Sequence, residues 1–189
     1  DIKVESNINI ENITKDSDYI NICFLDLETT GIHKKDDKII EIALKVIQIN
    51  KHTGEELKAI AEYESFQDPG IHIPKEATRI NNITDDMVKD HEIDWNKVSE
   101  IFSISQLFVA HNANFDRAFL DRYLELSKTK VWACSINDIN WIERGFTNMK
   151  LELLSHWHGF YYDSHRAMND VDATIHLVTH PHYKENKPI

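Results

Sequence analysis

The sequence places four carboxylates and one histidine at positions where they could bind hard metal ions. Asp26 and Glu28 are two residues apart, Asp116 follows much later, and His165 precedes Asp170 by a few positions. Carboxylate oxygens are the ligands that Mg²⁺ and Mn²⁺ prefer, and a histidine outside the ligand set is free to transfer a proton. Two such ions about 4 Å apart stabilise the attacking and leaving oxygens of a phosphoryl displacement. These residues therefore indicate metal-dependent phosphoryl chemistry.

Each of these residues also has a purely structural interpretation. The first two carboxylates could simply end a strand in solvent, and Asp116, in the first turn of a predicted helix, would complement the helix dipole. His165 in a loop could be a solvated surface residue. Asp163 and Asp172 lie close to Asp170 in the sequence, so spacing alone does not settle which of these carboxylates matters.

The elements that must position these residues begin with three strands. Apolar, β-branched runs predict them over 19–27, 39–49 and 57–66. Side chains two apart on a strand share a face, so Asp26 and Glu28 should point to the same place. The second run contains Glu41, Lys45 and Gln48, which indicate one face in partial contact with solvent. The turn signal between the second and third runs predicts antiparallel neighbours.

The second half of the chain alternates between strand and helix. Short helices are predicted within 74–86 and a helical stripe over 95–102, followed by a strand at 106–111, a helix at 114–127, a strand at 130–134, and helices at 136–144, 151–157 and 168–180. Three consecutive strands followed by this alternation predict an α/β domain with a mixed sheet. Asp116 would then lie at a helix start, aimed at the carboxyl ends of the strands, where such sheets bind ligands.

Length and composition restrict the class of protein. A chain of 189 residues predicts one domain, which we place at 19–180, with a polar lead-in at 1–18 and a loose tail at 181–189. The net charge of −11 argues against a protein that coats nucleic acid regardless of sequence. Cys23 and Cys134 are expected to be free thiols, so we expect a cytoplasmic protein. No apolar run is long enough for a membrane span, and a membrane partner is not expected.

Three segments resemble the exonuclease motifs of the DEDDh exonucleases. They are Phe24–Gly31, His111–Asp116 and His165–Asp170, and they occur in the family's order. The likeness extends to the proofreading epsilon subunit of bacterial DNA polymerase III and its stand-alone relatives, and it covers nearly the whole chain. It implies a ribonuclease H-like fold, with a mixed five-stranded sheet flanked by helices.

The resemblance also implies a role for each acidic residue and for the histidine. Asp26 would bridge two divalent metal ions, Mg²⁺ or Mn²⁺. Glu28 and Asp170 would complete the first metal site, and Asp116 would hold the second ion, partly through water. His165 would be the general base that deprotonates the attacking water.

Substrate contacts are implied for residues that flank these groups. Backbone near Thr29 and Thr30 would hold the terminal 3′ nucleotide, with an apolar side chain against its base, and Gly31 would allow backbone to approach a ligand closely. The other expected substrate-binding residues are Asn112, Phe115 and Arg166. Where relatives often carry His-Gly, this chain has Asn81 and Asn82. These positions lie outside the metal set, so we expect the departure to affect substrate contacts rather than chemistry.

The expected activity is 3′→5′ exonuclease action on single-stranded DNA ends, releasing nucleoside 5′-monophosphates in replication or repair. The enzyme would act alone or in proofreading. A second hypothesis keeps the chemistry but takes short or structured RNA 3′ ends. A third makes the chain a nucleic-acid-binding module that associates with a DNA polymerase subunit.

Overall fold

The structure, a computed structural model, describes residues 7–8 and 13–180. Its strands are β1 Asn7–Ile8, β2 Tyr19–Thr29, β3 Ile39–Asn50, β4 Glu56–Phe66, β5 Leu107–Ala110 and β6 Val131–Cys134. Its α-helices are α1 Lys75–Asn81, α2 Asp85–Val88, α3 Trp95–Ile104, α4 Ala113–Leu120, α5 Leu151–Trp157 and α6 Ala167–Thr179, and Glu125–Thr129 forms a 3₁₀ turn. Within these described ranges, every helix is too short or too polar to cross a bilayer.

The strands form one mixed sheet in the order β1-β4-β3-β2-β5-β6. Strands β2, β3 and β4 pair antiparallel, whereas β5 and β6 run parallel to β2. The predicted mixed five-stranded sheet flanked by helices is confirmed for β2–β6. The two residues of β1, which the sequence assigns to a polar lead-in, add a short strand at the β4 edge. The predicted loose tail, 181–189, lies outside the described residues.

Alternate side chains of β2 enter two different apolar cores. Cys23, Leu25 and Leu27 pack into a core that includes α3 and α4. Ile22 and Phe24 point the other way and pack with residues of α6. Because the side-chain period of a strand is two, residues at even positions of β2 face α6. This alternation decides which helix the carboxylates of β2 meet.

The polar residues of β3 are less exposed than the sequence indicates. Glu41 and Gln48 are each 1% exposed, so the predicted contact with solvent is wrong for both. Gln48 exchanges two hydrogen bonds of 3.0 Å with the main chain of Thr14, which attaches residues before β2 to the sheet. Lys45 is partly exposed and forms ion pairs at the surface.

Two predicted helices differ from the structure. The helix predicted over 114–127 ends at Leu120, because the chain turns where Arg122 donates two hydrogen bonds to carbonyls of the β2–β3 connection. Tyr123, within the range predicted to be helical, is 40% exposed and stacks on Trp95. Residues 136–144 form successive turns rather than a helix. There the buried indole of Trp141 donates to the Ser135 carbonyl at 2.7 Å, a contact that competes with helical geometry.

Candidate active site

Three carboxylates from two elements converge at one end of the sheet. Asp26 and Glu28 lie near the end of β2, and Asp170 lies in the first turn of α6. One oxygen of each lies within 4.8 Å of the other two. Asp26 and Glu28 are at even positions of β2 and therefore face α6. The strand and the helix together present an all-oxygen donor set, which suits a hard divalent cation.

A cavity of about 570 Å³ opens over this cluster. It is lined by all five residues that the sequence proposes for chemistry, namely Asp26, Glu28, Asp116, His165 and Asp170. Asp116 lies in the first turn of α4 and is 2% exposed, whereas His165 is exposed at the cavity wall. Asn112 has a left-handed backbone (φ 78°) that turns the chain from β5 into α4 and so aims Asp116 at the cavity.

Burial raises the pKa of all four carboxyl groups. For Asp26, burial and then the charges of Asp116 and Asp170 raise the pKa well above its ordinary value. Burial, followed by the charge of Asp170, raises the pKa of Glu28 to about 8. Burial also raises the pKa of Asp116 to about 8, and it raises the pKa of Asp170. Desolvated carboxylates this close together require bound protons or cations, so the site favours a positive ion.

Both oxygens of Asp170 accept hydrogen bonds from the segment that precedes α6. The main-chain N–H of His165 donates to Oδ2 at 2.8 Å, and the hydroxyl of Tyr162 donates to Oδ1 at 2.9 Å. His165 has a left-handed backbone (φ 66°), which is uncommon for a residue with a side chain. Its hydrogen bond to Asp170 therefore couples the backbone of the histidine to a carboxylate of the cluster. Tyr162 was not among the residues that sequence patterns indicate.

A buried ion pair between Glu41 and Arg166 fixes the start of α6. Oε1 of Glu41, on β3, accepts hydrogen bonds from Nη2 and Nε of Arg166 at 2.7 and 3.1 Å. Its Oε2 accepts a 2.9 Å bond from the N–H of Ala167, the first residue of α6. The guanidinium also lies 5.4 Å from the ring centroid of Phe66. In the sequence, Arg166 and Ala167 lie between His165 and Asp170, so this anchor restrains the segment that carries both.

The sequence predicts that Arg166 contacts substrate. Its guanidinium instead donates hydrogen bonds to Glu41. Arg166 is not among the described residues that line the first cavity. The side chain remains 29% exposed, so a substrate contact stays a prediction. Glu41 could have been recognised from its position in the apolar run Ile39–Ile49, because a charged residue in a fully buried strand needs a partner.

The departure at Asn81 and Asn82 reaches the carboxylate cluster. The side chain of Asn81 is 2% exposed and hydrogen-bonds to Glu28, which favours the charged carboxylate. Its Oδ1 accepts a hydrogen bond from the N–H of Ile83 at 3.0 Å. Asn81 therefore contacts a proposed metal ligand, and the expectation that the departure affects substrate contacts rather than chemistry stays a prediction. Asn82 takes a left-handed backbone (φ 59°) at the end of α1, which asparagine tolerates better than most residues.

Gly31 makes room for a carboxylate of its own loop. A Cβ at Gly31 would lie 2.6 Å from Oδ2 of Asp37. Asp37 accepts hydrogen bonds from Oγ1 of Thr30 at 2.9 Å and from the N–H of His33 at 2.7 Å. The Oγ1 of Thr29 donates to the carbonyl of Gly31 at 2.6 Å. The close approach that this glycine allows is thus first of all to Asp37, and its contact with substrate stays a prediction.

A second cavity, of about 480 Å³, adjoins the first. The two share Leu27, Glu28 and Phe115 in their walls. The second is also lined by Thr29, Thr30 and Gly31 and by the apolar side chains of Ile32 and Ile80, which are 77% and 57% exposed. Asn112 lines the first cavity. Apart from Arg166, the residues predicted to bind substrate therefore all border one of two contiguous cavities.

His111, directly after β5, attaches the part of the cavity wall that contains Met149 to the sheet. Its ring nitrogens lie 2.8 Å from Oγ of Ser135 and 2.7 Å from the carbonyl of Met149. Burial lowers its pKa, so the ring is held neutral. Met149 and Lys150 line the same cavity as the carboxylates. The sequence shows His111 within a motif but does not reveal this role, because its partners come from distant turns.

Comparisons with known proteins agree with this geometry. Residues 23–178 match the family model RNase_T, described as exonuclease. A DNA polymerase III of PolC type from Staphylococcus aureus is 28% identical over 187 residues, which covers 87% of this chain and 11% of that protein. The chain thus spans about a tenth of the length of the curated relatives that it matches.

Solved structures share the fold. Exonuclease I of E. coli in complex with a dA16 oligonucleotide has a TM-score of 0.67 at 17% identity, with 85% of this chain and 40% of that chain covered. Exonuclease X in complex with 5′ overhanging duplex DNA has a TM-score of 0.58 at 22% identity, with 84% and 89% covered. The expected ribonuclease H-like fold is confirmed.

We expect the metal-free protein to lose stability as the pH rises. Glu28 and Asp116 have folded-state pKa values of about 8, against ordinary values of 4.5 and 3.8. The native state therefore binds more protons than the unfolded state between these limits. Their contribution is fully present below the ordinary pKa values and is lost as the pH rises through about 8. With chelator present, the Tm from scanning calorimetry should fall between about pH 6 and about pH 9.

Asp26→Asn provides the matched comparison for this pH dependence. It removes one of the repelling charges, so at about pH 8 the metal-free variant should melt above the metal-free wild type. The same variant should lose most of the stabilisation that added Mg²⁺ gives the wild type. A wild-type Tm that stays constant or increases with pH in chelator would contradict the raised pKa values.

Arg166→Met should destabilise the fold because it leaves the buried carboxylate of Glu41 without its cation. Breaking a buried ion pair from one side costs about 3–5 kcal/mol. Lys45→Met, which removes a cation from partly exposed pairs, should cost less than about 1 kcal/mol. Urea unfolding of both variants measures the difference. The double variant Glu41→Gln/Arg166→Met should recover part of the loss, and equal costs for Arg166→Met and Lys45→Met would refute the anchoring role.

Proposed function

Because this chain belongs to the RNase_T exonuclease family, as a DEDDh-type 3′→5′ exonuclease, we propose that it hydrolyses the terminal phosphodiester bond at single-stranded DNA 3′ ends and releases nucleoside 5′-monophosphates. One observation carries the proposal. One carboxylate oxygen from each of Asp26, Glu28 and Asp170 lies within 4.8 Å of the other two, and these residues line a cavity that Asp116 and His165 also line.

The carboxylates would hold two divalent ions, Mg²⁺ or Mn²⁺. Asp26, Glu28 and Asp170 form the donor set for one ion, and Asp116 together with Asp26 would hold the second. When bound, such ions stabilise the charge on the attacking and leaving oxygens of the phosphate. The raised pKa values support this assignment, because ions would replace protons among carboxylates that repel one another.

His165 would accept the proton of the attacking water. Its side chain lines the cavity, and its backbone is fixed by the hydrogen bond to Asp170. The residue is exposed, so the proton can pass on to solvent after each turnover. A general base of this kind contributes about 10²–10⁴-fold to a rate.

The second cavity would receive the terminal 3′ nucleotide. Its walls combine main chain of Thr29 and Thr30 with apolar groups of Ile32, Ile80 and Phe115. A base packed among these side chains would place its phosphate toward Glu28, which borders both cavities. A base in a cavity is not paired with another strand, which supports single-stranded ends as substrate. Oligonucleotide and overhanging DNA in the matched structures support DNA over RNA.

The polymerase relative suggests a setting for this activity. Similarity to a DNA polymerase III of PolC type supports a proofreading role beside a DNA polymerase subunit. The free thiols of Cys23 and Cys134 are both buried, which supports a reducing compartment such as the cytoplasm. Isolation of this chain with a polymerase subunit would test the partner.

Loss of a cluster carboxylate should abolish hydrolysis without unfolding the protein. Asp26→Asn and Asp170→Asn should reduce digestion of 5′-labelled single-stranded DNA to background, because each removes a charged metal ligand. His165→Ala should slow the single-turnover rate by about 10²–10⁴-fold. Chelator should stop the wild type, and Mg²⁺ or Mn²⁺ should restore it. A ladder that shortens from the 3′ end reports the polarity.

Neighbouring carboxylates provide matched controls for this experiment. Asp163→Asn and Asp172→Asn remove exposed charges beside the same helix and should retain activity. Full activity in Asp26→Asn would refute the proposed metal site. Parallel digestion of RNA, single-stranded DNA and duplex DNA with a mispaired end tests the substrate. Faster cleavage of RNA would replace DNA with RNA in the proposal.

Trimming the second cavity should weaken use of the terminal nucleotide. Ile80→Ala removes apolar surface from its wall and should lower kcat/KM on single-stranded DNA about tenfold, the usual effect of lost methylenes in a binding pocket. Ile71→Ala is the control, because Ile71 is similarly exposed (52% against 57%) and lies outside both cavities. Equal kcat/KM values for the two variants would exclude this cavity as the nucleotide site.

A further inference from the structure

The hydroxyl of Tyr162 lies in the wall of the first cavity, on the segment between α5 and α6. The residue is half-buried, and its ring packs against the apolar cluster of Trp141, Leu154 and neighbouring side chains. Its hydroxyl leaves this cluster and donates to Oδ1 of Asp170 at 2.9 Å. The ring of Tyr162 thus packs in the apolar cluster, while its hydroxyl hydrogen-bonds to the carboxylate of Asp170.

Two hydrogen bonds from the segment that precedes α6 reach different oxygens of Asp170. Tyr162 holds Oδ1, and the main-chain N–H of His165 holds Oδ2 at 2.8 Å. The terminal torsion of an aspartate is broad, so one hydrogen bond leaves the carboxylate free to rotate. Two bonds fix its plane. Each carboxylate oxygen has two lone pairs, so Asp170 keeps acceptor capacity on both oxygens for an ion.

The hydroxyl can act here only as a donor, because the carboxylate accepts. Asp26 and Glu28 lie on β2, whereas Asp170 lies in the first turn of α6. Asp170 accepts a hydrogen bond on each of its oxygens, so neighbouring donors set the orientation of its carboxylate.

We propose that Tyr162 is a positioning residue that holds the Asp170 carboxylate in the orientation in which it joins Asp26 and Glu28 around a divalent ion. This inference rests on the proposed metal site. The hydroxyl would contribute to metal affinity rather than to the chemical step, because it contacts the ligand and not the reacting phosphate. Groups that orient metal ligands in this way typically contribute about 10–100-fold in metal affinity or activity.

Tyr162→Phe tests the hydroxyl alone, since the ring remains in its cluster. Binding of Mn²⁺ alone, without nucleic acid, is measured by isothermal titration calorimetry on the whole chain. We expect the Kd for Mn²⁺ to rise about tenfold or more. In activity titrations the Mn²⁺ concentration at half-maximal rate should rise by the same factor. The maximal rate at saturating Mn²⁺ should stay within about threefold of wild type.

Tyr161→Phe is the matched control. Tyr161 is the neighbouring residue, is 81% exposed, and contacts the ring of His156 rather than the cluster. The Tyr161→Phe variant should bind Mn²⁺ as tightly as the wild type. Equal Kd values for Tyr161→Phe and Tyr162→Phe would overturn the inference and leave the proposed function standing. A wild type that binds no Mn²⁺ would overturn the metal site and the inference together.

A double-mutant cycle guards against an indirect effect of Tyr162→Phe on folding. When Asp170→Asn is already present, Tyr162→Phe should no longer change the affinity for Mn²⁺. The charged ligand that the hydroxyl positions is then absent. If Tyr162→Phe weakens Mn²⁺ binding equally in both backgrounds, the hydroxyl acts through another group and the inference is overturned. Circular dichroism at the titration temperature establishes that each variant is folded.

Discussion

Repulsion among buried carboxylates is the constraint on which the rest of this structure depends. Asp26, Glu28, Asp116 and Asp170 come from three elements that meet at one end of the sheet, and burial raises the pKa of each. Without a cation, the fold holds them together at a cost that increases as they ionise. A bound divalent cation would reverse the sign of that contribution, because it would favour the ionised carboxylates that repel one another in the metal-free protein.

The surrounding residues restrain the carboxylates from several directions. The backbone of β2 fixes two of them, Asn81 donates to Glu28, and Tyr162 and the His165 main chain hold Asp170. The Glu41–Arg166 ion pair anchors the helix that supplies Asp170. Glu41 is itself an acidic group near the cluster, and its pairing with arginine supplies the positive charge that a fifth buried carboxylate needs. The carboxylates are thus surrounded by residues that donate hydrogen bonds either to them or to Glu41, which anchors the start of α6.

Sequence patterns identified the acidic residues and the histidine that line the cavity, but not the residues that hydrogen-bond to them. The apolar runs predicted β2 and β3 well, and the motif spacing named the residues that share the cavity. Glu41 and Arg166 are 125 positions apart, so only the folded sheet brings them together. The sequence predicts a helix over 136–144, whereas the structure has successive turns there and Trp141 packs into a separate core. Tertiary contacts outweigh local periodicity at such places.

The connection between β2 and β3 differs from an ordinary surface loop in its tolerance to length changes. The N–H of Thr30 donates to the carbonyl of Lys38, and Asp37 accepts hydrogen bonds from Thr30 and His33. Arg122, in the turn after α4, donates to the carbonyls of Lys34 and Asp37. Surface loops usually accept insertions during evolution. Here an added residue would disturb the hydrogen bonds within the β2–β3 connection and those that join it to Arg122. Natural variation in length is therefore expected at the opposite end of β3, in the β3–β4 turn around Gly54, where epitope tags or fused domains would also be best accommodated.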